Sequence, residues 1–457
     1  MILNRHLPNI LNLRDSFMLI VGNILGIGIF TTSGYIAQYL SSPGSMLLLW
    51  IIGGLLSFCG GVTYAELSSR FPKAGGDYNY LSSAFHPLMG FLFGWSALLV
   101  TYTGSIAVIA VGFGHYFLNF FPTNLQEWSF ILPVFGLKLE FIKLISIFMT
   151  FLFTYINVRG LRTGSTGQNI LTMGTIVVLF IFIFFTLFSK EGNWQNLTPL
   201  FSNKLNFPVI ADMGVALIGI YFTYSGWTVL AYMAGEIKTP DKTIPLATWL
   251  GISLVTVLYL LINVVYLYAF PLNRMINLID IGFQTVLVLL GQTLSFFFLL
   301  MISIAVLSTL NSTIMSGARI YYAMSREGQL FSGFSKVHPK YKSPANALWL
   351  QLFWSILLIL SGSFNQLLTY TVFVMVCFSF LSGISLLLLR KRSEDKNVCY
   401  QAWGYPITTF IFIGVVAWIM INTLLKHPLE SFLGVALVLF GIPFYFYFRK
   451  KYVWNVL

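Results

Sequence analysis

Three glycines in the first long apolar run could do chemistry through the backbone they expose. They lie in Gly22-Asn23-Ile24-Leu25-Gly26-Ile27-Gly28-Ile29-Phe30. At alternating and i+4 spacing they are poor material for a continuous helix, because each adds backbone freedom and removes packing. A helix interrupted there frees N–H and C=O groups that lipid cannot satisfy, so the break must line a cavity where a ligand can. The restarted half-helix then presents the N–H groups of Leu25, Ile27 and Gly28 and a positive dipole end, which suits a carboxylate. The same spacing also fits an unbroken helix packed on a neighbour through Gly22 and Gly26. The rest of the chain decides between the two.

Hydrophobic residues make up 57% of the 457, charged residues 9%, and the mean hydropathy is +0.82. That composition excludes a soluble globular domain and fits a polytopic, all-α membrane protein whose surroundings are the lipid bilayer. Apolar windows place about twelve spans near 14–40, 45–69, 86–119, 141–158, 166–188, 209–235, 243–270, 282–325, 346–362, 366–390, 405–425 and 430–448. The eighth window reads as one helix running on into water at Arg319–Glu327. The run from Leu11 to Leu40 is too long for the core of a cleavable signal. The net charge of +12 raises nucleic acid as a partner, but its distribution assigns it to topology. Twenty of the 26 Lys and Arg fall on one side of the bundle, which predicts both termini in the cytoplasm. Cys59, Cys377 and Cys399 form no disulfide framework.

The spans divide into two blocks of five and a final pair: 14–190, 208–392 and 405–450. The second block opens on its own interruption, Phe222-Thr223-Tyr224-Ser225-Gly226-Trp227, before Glu236 and a stop at Thr239-Pro240. An odd number of spans per block inserts the second block upside down relative to the first. Paired broken helices in an inverted repeat point to a transport site at the bilayer midplane. The break reading of Gly26 and Gly28 therefore outweighs the packing reading.

With these residues in hand, the chain resembles an amino acid–polyamine–organocation permease, nearest the L-type amino acid transporter branch. Gly26 to Phe30 is similar to that family's first-helix break. Tyr64-Ala65-Glu66-Leu67 with Phe71 to Tyr78 is similar to its second helix and the loop after it. Phe222 to Trp227, with Gly235-Glu236 and Ile244-Pro245, is similar to its sixth helix, and Ser325 to Leu330 to the loop after its eighth. The resemblance runs from about 14 to 392 and implies a leucine-transporter-like fold, a five-plus-five inverted repeat with two added helices. It implies secondary transport of a neutral L-amino acid by alternating access. The carboxylate would take backbone N–H groups of Leu25, Ile27 and Gly28, and the ammonium the carbonyls of Ile24, Phe222 and Ser225. Phe222 would cap the substrate, and Gly226 belongs to the second break. Thr103 and Met375 would face the substrate side chain, with ordinary packing as their alternative. Exchange, including of basic amino acids or polyamines, and a binding-only sensor are the competing functions.

The resemblance also bears on coupling. Many members carry a lysine on the fifth span seven residues after a glutamine; counting from Gln168 reaches Thr175. Ala305-Val306-Leu307-Ser308-Thr309 places a carbonyl and two hydroxyls on one turn, and similarity to the leucine-transporter break adds the carbonyls of Gly22 and Leu25. Five neutral oxygens suit a sodium ion. The alternative has Ser308 and Thr309 bonding back to their own helix in an uncoupled exchanger. No other cofactor is expected.

The remaining polar residues have plainer readings. Glu66 and Glu236 read as gate acids pairing with Arg70, Lys73 or Lys238, or as solvated helix ends. His115, Trp128, Trp194, Trp403 and Trp454 read as interfacial. Pro72-Lys73-Ala74-Gly75-Gly76 lacks the Lys-Ser/Thr ending of a phosphate-binding loop, and no intramembrane catalytic constellation is present, so an enzyme is not expected. Phe120 to Glu140 contains no cysteine, which predicts work without a disulfide-linked heavy subunit, most simply in a bacterial inner membrane.

Overall fold

The computed structural model describes residues 7–132, 137–201, 207–276, 278, 280–361, 364–392 and 400–451. Arg5, Lys204, Lys396, Cys399 and Trp454 lie outside them. Eleven helices among the described residues are long and apolar enough to cross a membrane, and Ala345–Ser361 adds a shorter apolar helix of 17 residues. The protein is therefore an all-α membrane protein of about twelve spans. Among the described residues the strands form one hairpin, Ser129–Leu132 against Leu137–Glu140, between the third and fourth spans.

Local chemistry sets where the spans begin. Asn12 caps the first span by accepting from the Asp15 N–H, while the Asp15 carboxylate accepts from the Asn12 N–H. Pro43, Pro87 and Pro240 each sit in the first turn of a span, where the missing N–H costs nothing. Thr239-Pro240, read from sequence as a stop, thus opens the seventh span, Pro240–Ala269.

The first span is two helices, Leu13–Ile24 and Ile27–Ala37. The sixth begins as Phe207–Tyr224, tightens to a 3-10 turn over Ser225–Thr228, and resumes at Val229–Tyr232. These two spans bury 89% of their apolar window inside the protein, against 28% for the last span, Pro428–Lys450. The interrupted helices are therefore shielded from lipid, which is the condition for an irregular backbone at that depth. Leu13–Ile24 packs on the fifth, seventh and eighth spans, and Ile27–Ala37 on the sixth and eighth.

The eighth span, Ile281–Arg326, departs from expectation at both ends. At 46 residues it exceeds what a bilayer requires, and Gly291, at φ +79°, divides it. Its far end reaches water only at Arg326 and Glu327, which are exposed, while Arg319 is 2% exposed and its guanidinium holds the Glu236 carboxylate, at 2.8 and 3.1 Å. Glu236 thus pairs across to the eighth span rather than with its neighbour Lys238. Glu66 is equally buried, held by Arg70 at 2.8 Å, by Arg390 at 2.8 and 2.5 Å, and by the N–H of Ala402 at 2.7 Å. Neither acid is a solvated helix end. Burying a charge requires such partners, and the tertiary fold brings them from distant spans.

Candidate substrate site

At the first break, Leu25 leaves the helix at φ −73°, ψ 81°, and Gly26 is extended at φ −136°, ψ −152°. The Leu25 N–H still donates to Val21, at 2.8 Å, and the Gly26 N–H to Ile24, at 2.9 Å. Leu25, expected to offer its N–H to a carboxylate, is therefore committed to the helix it ends. Ile27 and Gly28 open the next helix, where N–H groups have no intrahelical acceptor. The freed carbonyls find tyrosine hydroxyls. Tyr259 on the seventh span donates to Ile24 at 2.6 Å and lies 3.3 Å from the Thr223 carbonyl, so it touches both broken spans. With the Gly26 N–H and Tyr259 O–H on it, the Ile24 carbonyl has both lone pairs engaged and is not the free acceptor expected for an ammonium. The Phe222 and Ser225 carbonyls each accept a side-chain hydrogen bond, from the hydroxyls of Ser225 at 2.8 Å and Thr228 at 3.2 Å.

The glycines serve close approach rather than unusual φ. A Cβ on Gly226 would stand 2.4 to 2.6 Å from backbone atoms of Asn23 and Ile24, so the two breaks touch through their main chains. A Cβ on Gly26 would strike Thr309, at 2.2 Å, and one on Gly28 the side chain of Thr223, at 2.6 Å. Asn23 joins the breaks: its amide donates to the Gly226 carbonyl at 3.0 Å, and its oxygen accepts from Ser312 at 2.6 Å and Thr313 at 3.1 Å. The reading of the sequence gave Asn23 no role. An amide inside an apolar run was the available signal.

A cavity of about 60 Å³ lies between the breaks. Ile24, Gly26, Ile27, Gly28, Phe222, Ser225, Gly226 and Met375 line it. Leu25 is fully buried away from it, and so is Thr103. Residues 97–101 form a π-turn in the third span, and the Thr103 hydroxyl closes on the Leu98 carbonyl at 2.6 Å. The extra residue in that turn shifts the register, so Thr101, Tyr102 and Ser105 face the cavity instead.

Around Gly22 the polar residues form two groups. The Thr309 hydroxyl reaches the carbonyls of Gly22 and Leu25, at 2.9 and 3.1 Å, and not its own helix. Ser308 is engaged by Gln168 at 2.9 Å and Thr172 at 3.1 Å. Gln168 accepts from Asn311 at 2.8 Å, and Asn311 from Asn157 at 2.8 Å, a neutral chain across the fourth, fifth and eighth spans. Ala305 is buried on the same turn, and Thr175 is buried with its hydroxyl on Leu171 at 3.0 Å. The Thr309 hydroxyl thus donates onto the Gly22 and Leu25 carbonyls, whereas the Ser308 hydroxyl belongs to the amide chain.

His115 is exposed on the third span, and Trp128, Trp194 and Trp403 are 40%, 55% and 70% exposed, as interfacial residues are. Asp77, which sequence placed in a loop, is 2% exposed in the helix Asp77–Ala84.

Comparison with known proteins agrees with this architecture. The profile of the amino acid permease family matches residues 11–443. The serine/threonine exchanger SteT of Bacillus subtilis is 26% identical over 448 residues, 96% of this chain and 97% of its own length. The large neutral amino acids transporter small subunit 2 of Mus musculus is 29% identical over 435 residues, covering 94% of this chain and 78% of its own. The Asc-type amino acid transporter 1 of Mus musculus is 29% identical over 461 residues, covering 96% and 82%. The chain belongs to the amino acid permease family, within the amino acid–polyamine–organocation superfamily and near its L-type branch, and is a membrane permease rather than an enzyme.

Proposed function

We propose that the chain is a secondary transporter of neutral L-amino acids, working by alternating access of two inverted repeats, 14–190 and 208–392, with both termini in the cytoplasm of a bacterial inner membrane. The observation that carries this reading is the apposition of the two breaks. Ile27 and Gly28, which open the second half of the first span, line one wall of the cavity, and Phe222 and Ser225, at the second break, line the other. The first pair suits a carboxylate at a helix N-terminus, the second an ammonium. The absence of cysteine from 120–140 supports work without a disulfide-linked partner.

Purified protein should gain thermal stability from the transported amino acid, since a ligand that binds only the folded state stabilises it. Gly28→Val should remove that gain, because the added side chain meets Thr223 and must push the first break away from the sixth span. A decarboxylated amine should not compete for the site between the breaks. Normal transport by Gly28→Val would sink the proposed site, and binding without flux into proteoliposomes would make the protein a sensor.

For coupling, Gly22, Leu25, Ala305, Ser308 and Thr309 are the residues that would hold a sodium ion, supplying oxygens without a counter-charge. Replacing external sodium by choline should lower uptake, Ser308→Ala should weaken the dependence and Thr175→Lys should remove it. The engagement of Ser308 by Gln168 favours a second reading, uncoupled exchange. Uptake indifferent to sodium, with Ser308→Ala silent, would leave exchange standing.

A further inference from the structure

Asp77 is the buried acid that the proposed transport reaction leaves unused. Its carboxylate accepts three hydroxyl hydrogen bonds, from Tyr64 on the second span at 2.5 Å, from Tyr232 after the second break, and from Ser382 on the tenth span. Glu66 pairs with Arg70 and Arg390, Glu236 with Arg319, and Asp212 with Lys426, and no ion pair among the described residues includes Asp77. Burial pushes the carboxyl up from its ordinary value, and the three hydroxyls offset that only in part. Its place in the first turn of a helix offsets a further part of the charge. A hydrogen-bonded structural acid needs nothing more than these groups.

The space in front of it does not follow from such a role. A second cavity, of about 40 Å³, is lined by Asp77 itself and by the rings of Phe93, Tyr102, Tyr221, Tyr232 and Phe378. Four of these rings pack against one another, edge-on or stacked: Tyr102 lies 5.2 Å from Tyr232, Tyr232 6.2 Å from Phe93, and Phe93 5.3 Å from Phe378. Ser225, Thr228 and Met375 line both this cavity and the one between the breaks, so the two share a wall. The second cavity lies toward the end of the bundle that carries Glu66, Glu236 and Arg390. Aromatic rings and a carboxylate without a cationic partner around one space are what a small organic cation selects.

We propose that this cavity is a second station for a primary ammonium group, taken from the substrate as it passes between the breaks and that end of the bundle. Asp77 supplies the charge, and the rings exclude water and stabilise the cation through their faces. The station rests on the reading of the chain as an amino acid transporter, but its chemistry needs no carboxylate on the ligand. That difference makes the two separable.

The test uses ethylammonium, a primary ammonium without a carboxylate, on the purified full-length protein at constant ionic strength. Ethylammonium should raise the melting temperature saturably where equal potassium does not. Asp77→Asn should abolish the response, and Phe378→Ala, which leaves the carboxylate untouched, should weaken it about fivefold. Gly28→Val should keep it while losing the response to the amino acid. L-Lysine binding more tightly than L-norleucine, with the difference gone in Asp77→Asn, identifies a side-chain ammonium as the occupant; equal binding identifies the α-ammonium in transit. No saturable response in the wild type, or one that survives in Asp77→Asn, overturns the station. Loss of the ethylammonium response in Gly28→Val also overturns it, by placing the amine between the breaks. A retained ethylammonium response with no response to any amino acid would instead overturn the transport reading alone.

Discussion

Gly226→Ala should weaken amino acid binding roughly 10- to 100-fold, and uptake with it. The added methyl would stand 2.4 to 2.6 Å from the carbonyl carbon and oxygen of Asn23 and the nitrogen of Ile24. Those are main-chain atoms, so no rotamer change relieves the contact and the two breaks must separate. Overpacking of this kind costs about 1–3 kcal/mol, and each 1.4 kcal/mol is about tenfold in affinity. Separation also strains the Asn23 bond to the Gly226 carbonyl, and with it the Ser312 and Thr313 contacts that fix the eighth span. Gly414→Ala is the matched control, because nothing lies within 4 Å of a Cβ built there. Isothermal titration of both variants checks the expectation. Equal affinities would show that the breaks do not depend on main-chain contact.

Arg319→Met should destabilise the folded protein by about 3–5 kcal/mol, the usual consequence of leaving a buried acid unpaired. Glu236 is 0% exposed and the Arg319 guanidinium is its cationic partner, while the N–H groups of Ile10 and Leu11 bond to its main-chain carbonyl at 3.0 and 2.9 Å. The pair therefore ties the eighth span to the end of the sixth, beside the N-terminal segment. Arg319→Met combined with Glu236→Gln should recover most of the loss, since the residual amide carries no charge. Denaturant unfolding in detergent measures both. A single variant within 1 kcal/mol of wild type, a bound set by ordinary exposed pairs, would mean water reaches Glu236.

What was legible in the sequence followed from local rules. Twelve apolar runs of bilayer length required membrane spans, because backbone polar groups in lipid must be paired within a helix. Gly26 and Gly28 marked the first break, and Ser225-Gly226 the second, because glycine and short polar residues weaken a helix wherever it lies. Most residues predicted at the cavity are there for the same reason: they belong to the breaks themselves.

Only the tertiary structure decided which partners met. The third span turned Thr101, Tyr102 and Ser105 inward and Thr103 away through one π-turn, a register change that no residue type announces. Ser308 and Thr309, adjacent in sequence, joined different groups, one with Gln168 and Thr172 and the other with Gly22 and Leu25. Glu236 found Arg319 across 83 residues, passing over Lys238 two positions away. Asp77, read as a loop residue, was buried against the second, sixth and tenth spans. In each case a buried polar group must be paired, so sequence predicts that a partner exists, but which partner depends on helices brought together from distant parts of the chain.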